Sequence, residues 1–279
     1  MGTQKAATKK SNVIGIKSPI WVILLCAVAG FCFYQFVCGA PHRFSDVTGD
    51  LIGDPNEGHP LNGDLLATVY KGGFIVPILM TCLLTVIVLS VERFIAMLSA
   101  NGKGNTTKFI ANVKAALENN DIAAAKQLCA KKQGVVASVV ASALIKYEQV
   151  ENDETLTKEK KVEAIQKQLE EATALEMPAL QQNLPIIATL TTLGTLVGLL
   201  GTVMGMIKSF AALASGDGAA DSQALSTGIS EALVNTATGI ATGAFAVISY
   251  NYYSNKIDTL TYAIDEIGFC IVNAFNKTH

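Results

Sequence analysis

LPIIATLTTLGTLVGLLGTVMGMIKSFAAL, residues 184–213, decides how the rest of this chain is read. It passes about 24 residues before its first charge, Lys208, and at about 1.5 Å per residue that crosses a hydrocarbon core of about 30 Å. Its small residues are ordered. Gly194, Gly198, Gly201 and Gly205 recur at spacings of four, three and four, so they share one helix face. Gly194–Gly198 and Gly201–Gly205 are both GxxxG pairs, which let helices approach closely in lipid. Thr191, Thr195 and Thr202 form a second stripe, rotated from the first by about 60–100°. A packing face beside a hydroxyl face predicts a bundle helix that shows its hydroxyls to something polar. The competing reading is that each threonine bonds back to a carbonyl of its own helix.

Composition extends this to the whole chain. Half of the 279 residues are hydrophobic and 16% are charged, less charge than ordinary soluble usage. Four apolar runs are long enough to span a bilayer. The fold class expected is all-α, a polytopic membrane protein with four transmembrane helices and long helices extending into the cytoplasm. The net charge of −2 and the lack of a basic patch with interleaved aromatics give no sign of nucleic acid. Six cysteines form no CxxC pair, and three histidines have no ligand spacing. No metal and no cofactor are expected.

In chain order, residues 1–18 are a basic N-terminus, followed by an apolar run at 19–40. A basic head and an apolar body also describe a signal peptide. At about 22 residues, however, the run exceeds a signal core of roughly 7–15, so it is read as an extra transmembrane helix. Residues 41–71 are acidic and rich in Gly and Pro, as in a periplasmic loop. A second span at 72–98 ends in Glu92-Arg93, a pair expected at a headgroup boundary. Residues 99–183 form the polar section, with a helical hairpin turning at Asn119-Asn120-Asp121. A charged helix from about 156 is expected to run unbroken into the third span at 184–213, with Pro178 and Pro185 kinking it at most. A short periplasmic loop at 214–227, a fourth span at 228–253 and a helical tail at 254–279 complete the chain. Lysine sets orientation: four in the first eighteen residues and eleven in 99–183, against Arg43 and Lys71 alone in 41–71 and none in 211–227. The positive-inside rule then puts both termini and the polar section in the cytoplasm, which requires residues 19–40 to be kept as a span.

The fourth span, ISEALVNTATGIATGAF, carries the one carboxylate of the last two spans, Glu231. A near-membrane acid is functional by default, unless it sits hydrated in the first turn and serves the helix dipole. Asn235, Thr238 and Thr242 lie within about 40° of it on a helix. Gly239 and Gly243 are a further GxxxG pair. The third and fourth spans thus share a small packing face beside a polar face, and the glycines are expected to hold copies of the chain together. Sequence signatures of catalysis are missing: no Walker loop, no HExxH and no GxSxG. The chain is read as no enzyme.

Four stretches carry a family likeness: LPIIAT (184–189), GLLGTVMGMI (198–207), ISEALVNTATG (229–239) and YNYYSNKID (250–258). Together they resemble the paired signature of the MotA/TolQ/ExbB proton-channel family, the ExbB branch first and TolQ second. GGFIVPILM and VERF, within 72–94, resemble that branch's first conserved span. The resemblance implies an inner-membrane homopentamer around a central pore and a single-span, ExbD-like dimer in that pore that supplies a titrating aspartate. It also implies coupling to a TonB-like protein. Carried over residue by residue, the pore threonine of G-T-V falls on Thr202, and the acid and threonine of E-A-L-x-x-T fall on Glu231 and Thr236. Glu231 and Thr236 stand about 140° apart on a wheel, so one can face a neighbour while the other faces the axis. Thr202 and Glu231 fall at similar depth and are expected to be able to meet, within one subunit or between subunits. The residues expected to line the path are Thr195, Thr202, Glu231, Asn235, Thr236 and Thr238. The alternatives are a TolQ-type motor for envelope maintenance and a membrane scaffold that conducts nothing. Residues 19–71 lie outside the likeness.

Overall fold

The computed structural model describes residues 18–45, 59–61, 64–215 and 219–278. The basic head at 1–17, the acids Asp46, Asp50, Asp54 and Glu57, and Asp217 lie outside them. Among the described residues nine α-helices run in order: α1 Pro19–Cys32, α2 Leu65–Tyr70, α3 Ile75–Asn101, α4 Thr106–Glu118, α5 Ile122–Lys132, α6 Gly134–Glu151, α7 Lys158–Gln181, α8 Leu184–Ser215 and α9 Ala219–Thr278. The described residues are thus an all-α chain, apart from two short strands, and four helical stretches are long and apolar enough to cross a membrane. α9 alone has 60 residues, about 90 Å of helix. Residues 219–227, expected as loop, are its first turns. The chain divides into two compact units, one of Ile16–Val91 and Pro185–Asn251, the other of Glu92–Leu184 and Tyr252–His279.

The first unit is the apolar one. Its helices turn large apolar side chains outward, among them Trp21 and Leu25 of α1, Leu196 and Leu199 of α8, and Ile240 and Ile248 of α9. That is the surface a helix offers to lipid or to a neighbouring helix, where only the backbone needs internal satisfaction. Inside, Cys82, Val86 and Leu89 of α3 pack with Ile187 and Leu190 of α8 and Ala246 of α9. α1 seats Gly30 on α3, where a Cβ would come within 3.2 Å of the Thr81 backbone nitrogen.

Residues 41–71, expected as an open loop, include an ordered cap in this unit. β1 (Phe44–Ser45) pairs antiparallel with β2 (His59–Pro60). Cys38, Phe44, Ala67 and Tyr70 are buried together. Tyr34 stacks on Tyr70 with ring centroids 4.8 Å apart and donates its hydroxyl to the Tyr70 carbonyl at 3.0 Å. Asp64 caps α2, accepting from Leu66 N–H at 3.0 Å and Ala67 N–H at 3.2 Å, and the Arg43 guanidinium donates to the same carboxylate at 2.7 Å. Burial works against that charge. The hydrogen bonds from Ala67, Arg43 and Leu66 outweigh it and hold the Asp64 carboxyl below the ordinary aspartate range. Acidic composition announced a loop. What orders it is a handful of aromatics and one ion pair.

The second unit is the polar section with the end of α9. Asp121 caps α5 by accepting from Ala124 N–H at 2.8 Å, and Asn120 takes the left-handed conformation between α4 and α5, an αL position that Asn tolerates. Ile257, Leu260, Ile264, Ile267 and Ile271 of the α9 tail, spaced as one helix face, are all buried. Phe275 meets Tyr147 of α6 edge to face.

The expected unbroken helix into the third span does not form. α7 ends at Gln181 and α8 begins at Leu184, with Asn183 at φ +64° between them. Pro178 is absorbed inside α7, but Pro185 has no N–H, and its ring collides with the carbonyl of residue 181 if the helix continues. The carbonyls left over at the break find a donor: Arg93 donates to Ala179 and Leu180 O, both at 3.3 Å. Glu92 accepts from Arg93 Nε at 2.6 Å and from Asn183 Nδ2 at 3.3 Å. The Glu-Arg pair, expected at a headgroup boundary, is buried within the protein: Arg93 is 0% exposed and Glu92 8%. Its place follows from the break, since a planar guanidinium can serve two carbonyls and a carboxylate at once.

Candidate functional site

The site is the α8–α9 pair of the first unit. The two glycine faces expected from the sequence lie against each other within one chain. A Cβ on Gly239 would stand 2.7 Å from the Gly194 carbonyl oxygen and 2.7 Å from Gly198 Cα. One on Gly205 would stand 2.8 Å from the Gly228 carbonyl oxygen. Gly201 is filled by the side chain of Asn235, and Gly243 by Thr191 and Thr195. The expectation that these faces join copies of the chain is therefore corrected. They are occupied by intrachain packing, and surfaces left for a neighbour are the exposed apolar ones.

The threonines behave mostly as the competing reading has it. Thr191, Thr195, Thr236, Thr238 and Thr242 each donate to a carbonyl four residues back, at 2.8–3.3 Å. Thr202 does so only at 3.4 Å, to Gly198 O, and its hydroxyl also lies in hydrogen-bond contact with the Thr236 hydroxyl. Among the threonines expected on the path, the structure brings these two together across the helix pair. Thr195 is exposed beside Gly243, and Thr238 bonds locally.

Asn235 sits one residue before Thr236 and points elsewhere. It is 1% exposed, lies over Gly201 and donates Nδ2 to the Gly72 carbonyl at 2.9 Å. Its Oδ1 is buried without a hydrogen-bond partner in the described structure. Such an atom is costly and calls for a reason beyond packing. Glu231, a turn earlier, is paired within the chain with Lys208 rather than with Thr202. It accepts from Lys208 Nζ at 2.7 Å, and its side chain is 13% exposed against 56% for Lys208. On its other side it touches Gly73, whose φ of +77° is open to glycine alone at no strain. Residue types and placement thus define a layer at one end of the helix pair: a hydroxyl pair, a buried amide, and a carboxylate held by an ammonium.

Sequence reasoning missed Lys208, Gly72 and Gly73. The signal for Lys208 was present: one base ends the apolar run of α8, one acid opens α9, and an antiparallel pair puts both at the same end. Gly72-Gly73 carried only a turn signal, and nothing local tied it to a residue more than 150 positions away. Among the described residues no cluster of His, Cys, Asp and Glu is placed to hold a metal ion.

Paired membrane-crossing helices with glycine faces turned inward and a polar layer near one end define a multi-pass helical membrane protein with a built polar site. Residues 128–266 match the model of the MotA/TolQ/ExbB proton channel family. An ExbB-like biopolymer transport protein of Synechocystis is 36% identical over 86 residues, 30% of this chain and 41% of that protein. TolQ of Haemophilus influenzae is 36% identical over 85 residues, 30% of this chain and 37% of that protein. ExbB of Xanthomonas campestris is 29% identical over 111 residues, 37% of this chain and 44% of that protein. The chain thus covers less than half of the length of each of these three relatives. It belongs to the MotA/TolQ/ExbB family and is a multi-pass inner-membrane protein.

Proposed function

We propose that this chain is the stator and channel subunit of an ExbB-type motor driven by proton flow. It assembles as a homopentamer around an ExbD-like single-span dimer, and through a TonB-like protein it powers transport across the outer membrane. Both termini and the 99–183 section are cytoplasmic, which puts the Thr202–Glu231 layer in the outer half of the membrane. The observation that carries the reading is the Thr202–Thr236 hydroxyl contact, made between the two motif threonines across the two arms of a hairpin. Hydroxyls solvate and relay a proton but do not titrate near neutral pH. Lys208 and Glu231 are paired with each other beside them. A titrating carboxylate is therefore wanted from the partner, as an intramembrane acid that charges and discharges once per step.

Thr202→Val and Thr236→Val keep shape and remove the relay. Both are expected to abolish proton-driven uptake while leaving the complex assembled. Normal uptake in both variants overturns the passage, and failed assembly makes the threonines structural, as a scaffold requires. A TolQ-type motor for envelope maintenance is the second reading, supported by the TolQ relative at 36% identity. Deletion separates the two, since loss of TonB-dependent uptake marks ExbB, and envelope leakage with uptake intact marks TolQ.

A further inference from the structure

We infer that residues 18–45, 59–61 and 64–73, which lie wholly outside the matched residues 128–266, position Glu231 and shield it. This deepens the passage reading and takes its meaning from it. The line of contact is continuous. Tyr34, just beyond α1, donates to the Tyr70 carbonyl at 3.0 Å. The same carbonyl accepts from Gly73 N–H at 3.4 Å, so one acceptor ties the cap to the turn between α2 and α3. That turn presents two glycines to α9. The Gly72 carbonyl is held by Asn235 at 2.9 Å, and a Cβ on Gly72 would come within 2.9 Å of Val234. Gly73 lies directly against the Glu231 carboxylate. The result is an acid whose side chain is 13% exposed although its partner Lys208 is 56% exposed. Backbone, rather than a side chain that swings away, covers the acid on this face. The cover is itself braced by the Tyr34–Tyr70 stack, the Arg43–Asp64 pair and the seat of Gly30 on Thr81. The extra helix and cap are thus a positioning element for the charged pair of the polar layer.

The test labels the intact chain in detergent with a water-soluble carbodiimide and glycine ethyl ester and maps the modified carboxylates by mass spectrometry. Exposed Glu171 is the fast reference, and buried Glu92 reports on the fold. Glu231 is expected to react several-fold more slowly than Glu171. Tyr34→Phe keeps the ring stack and removes the donor. It should speed Glu231 by about fivefold, the shift one ordinary hydrogen bond makes in an opening equilibrium, with Glu92 unchanged. Gly73→Ala forces a methyl against the carboxylate and should do the same. Equal rates for Glu231 and Glu171 in the unaltered chain, or no change in either variant, overturn the inference. A rise shared with Glu92 is general loosening and counts against it. Labelling needs neither partner nor proton flow, so its outcome stands apart from the uptake assay that tests the motor.

Discussion

Gly239→Ala tests whether α8 and α9 are held by backbone contact. A methyl at 239 would sit 2.7 Å from Gly198 Cα and 2.7 Å from the Gly194 carbonyl oxygen, and both neighbours are backbone. Carbon atoms rest at roughly 3.5–4.0 Å, so the helices must part by about 1 Å at this crossing. Overpacking of this kind costs about 1–3 kcal/mol. The parting also loosens the neighbouring approaches at Gly194 and Gly198, which places the cost at the upper end. Against it stands the helix preference of alanine over glycine, about 1 kcal/mol in the opposite direction. The net expectation is a loss of about 1–2 kcal/mol. Thermal unfolding of the isolated chain in detergent measures it, with Ala241→Gly on the exposed face as the converse, where only helix preference acts. Because the contact is within one chain, the loss should appear without any partner or oligomer. A Gly239→Ala chain as stable as the parent, or more so, would refute the packing argument, since propensity alone predicts a gain.

Other expectations follow from single sites. Arg93→Ala leaves Glu92 buried and two carbonyls without their donor, and should lower stability by about 3–5 kcal/mol in thermal unfolding. The paired replacement Glu92→Gln with Arg93→Met should recover part of that loss. Burial pushes the Cys129 thiol up to about 12, so at pH 8 it should resist iodoacetamide until the chain is unfolded, as peptide mapping would record. Asp64 is held below the ordinary aspartate value, so its contribution is present above about pH 4 and is lost as pH falls through the lowered value. The difference in thermal stability between the parent and Asp64→Asn should therefore be constant at neutral pH and shrink in that acid range. A gap that does not shrink anywhere in the acid range would mean that the ion pair does not brace the cap.

What the sequence made legible was periodic. Four apolar stretches, the glycine faces of α8 and α9, and the i, i+3, i+4 spacing of Ile257 to Ile271 were each readable, because a helix repeats its environment every turn or so. What escaped was aperiodic. Pro178 and Pro185 look alike in sequence, yet α7 absorbs one and the chain breaks before the other. The difference lies in whether neighbours can serve the carbonyls set free, and at the break Arg93, 86 residues away, does so. The cap at 34–70 rests on a few aromatics around one ion pair, with no repeat to announce it. GxxxG is mute about partner: the same motif joins two copies or two helices of one hairpin, and here each glycine face had its counterpart in the same chain.

Glu231 shows how this bears on mechanism. On its helix wheel it belongs with Asn235, Thr238 and Thr242, and from its motif it belongs with Thr202 and Thr236. The geometry divides these sets by task. Thr202 and Thr236 touch each other, Asn235 clasps the Gly72 carbonyl, and Glu231 pairs with Lys208 and lies against Gly73. We propose that Glu231, paired with Lys208 and covered by backbone, fixes a local field at this layer. Replacement of Glu231 by Gln then removes one side of a partly exposed pair, worth at most about 1 kcal/mol in stability, and leaves Lys208 as an uncompensated positive charge at the mouth of the layer. The expected result is an assembled complex with impaired uptake. Lys208→Gln in the same background, by removing the stranded charge, should restore part of it. Uptake that stays absent in the double variant while the complex assembles would show instead that the carboxylate itself is required, and Glu231 would return to the path of the proton.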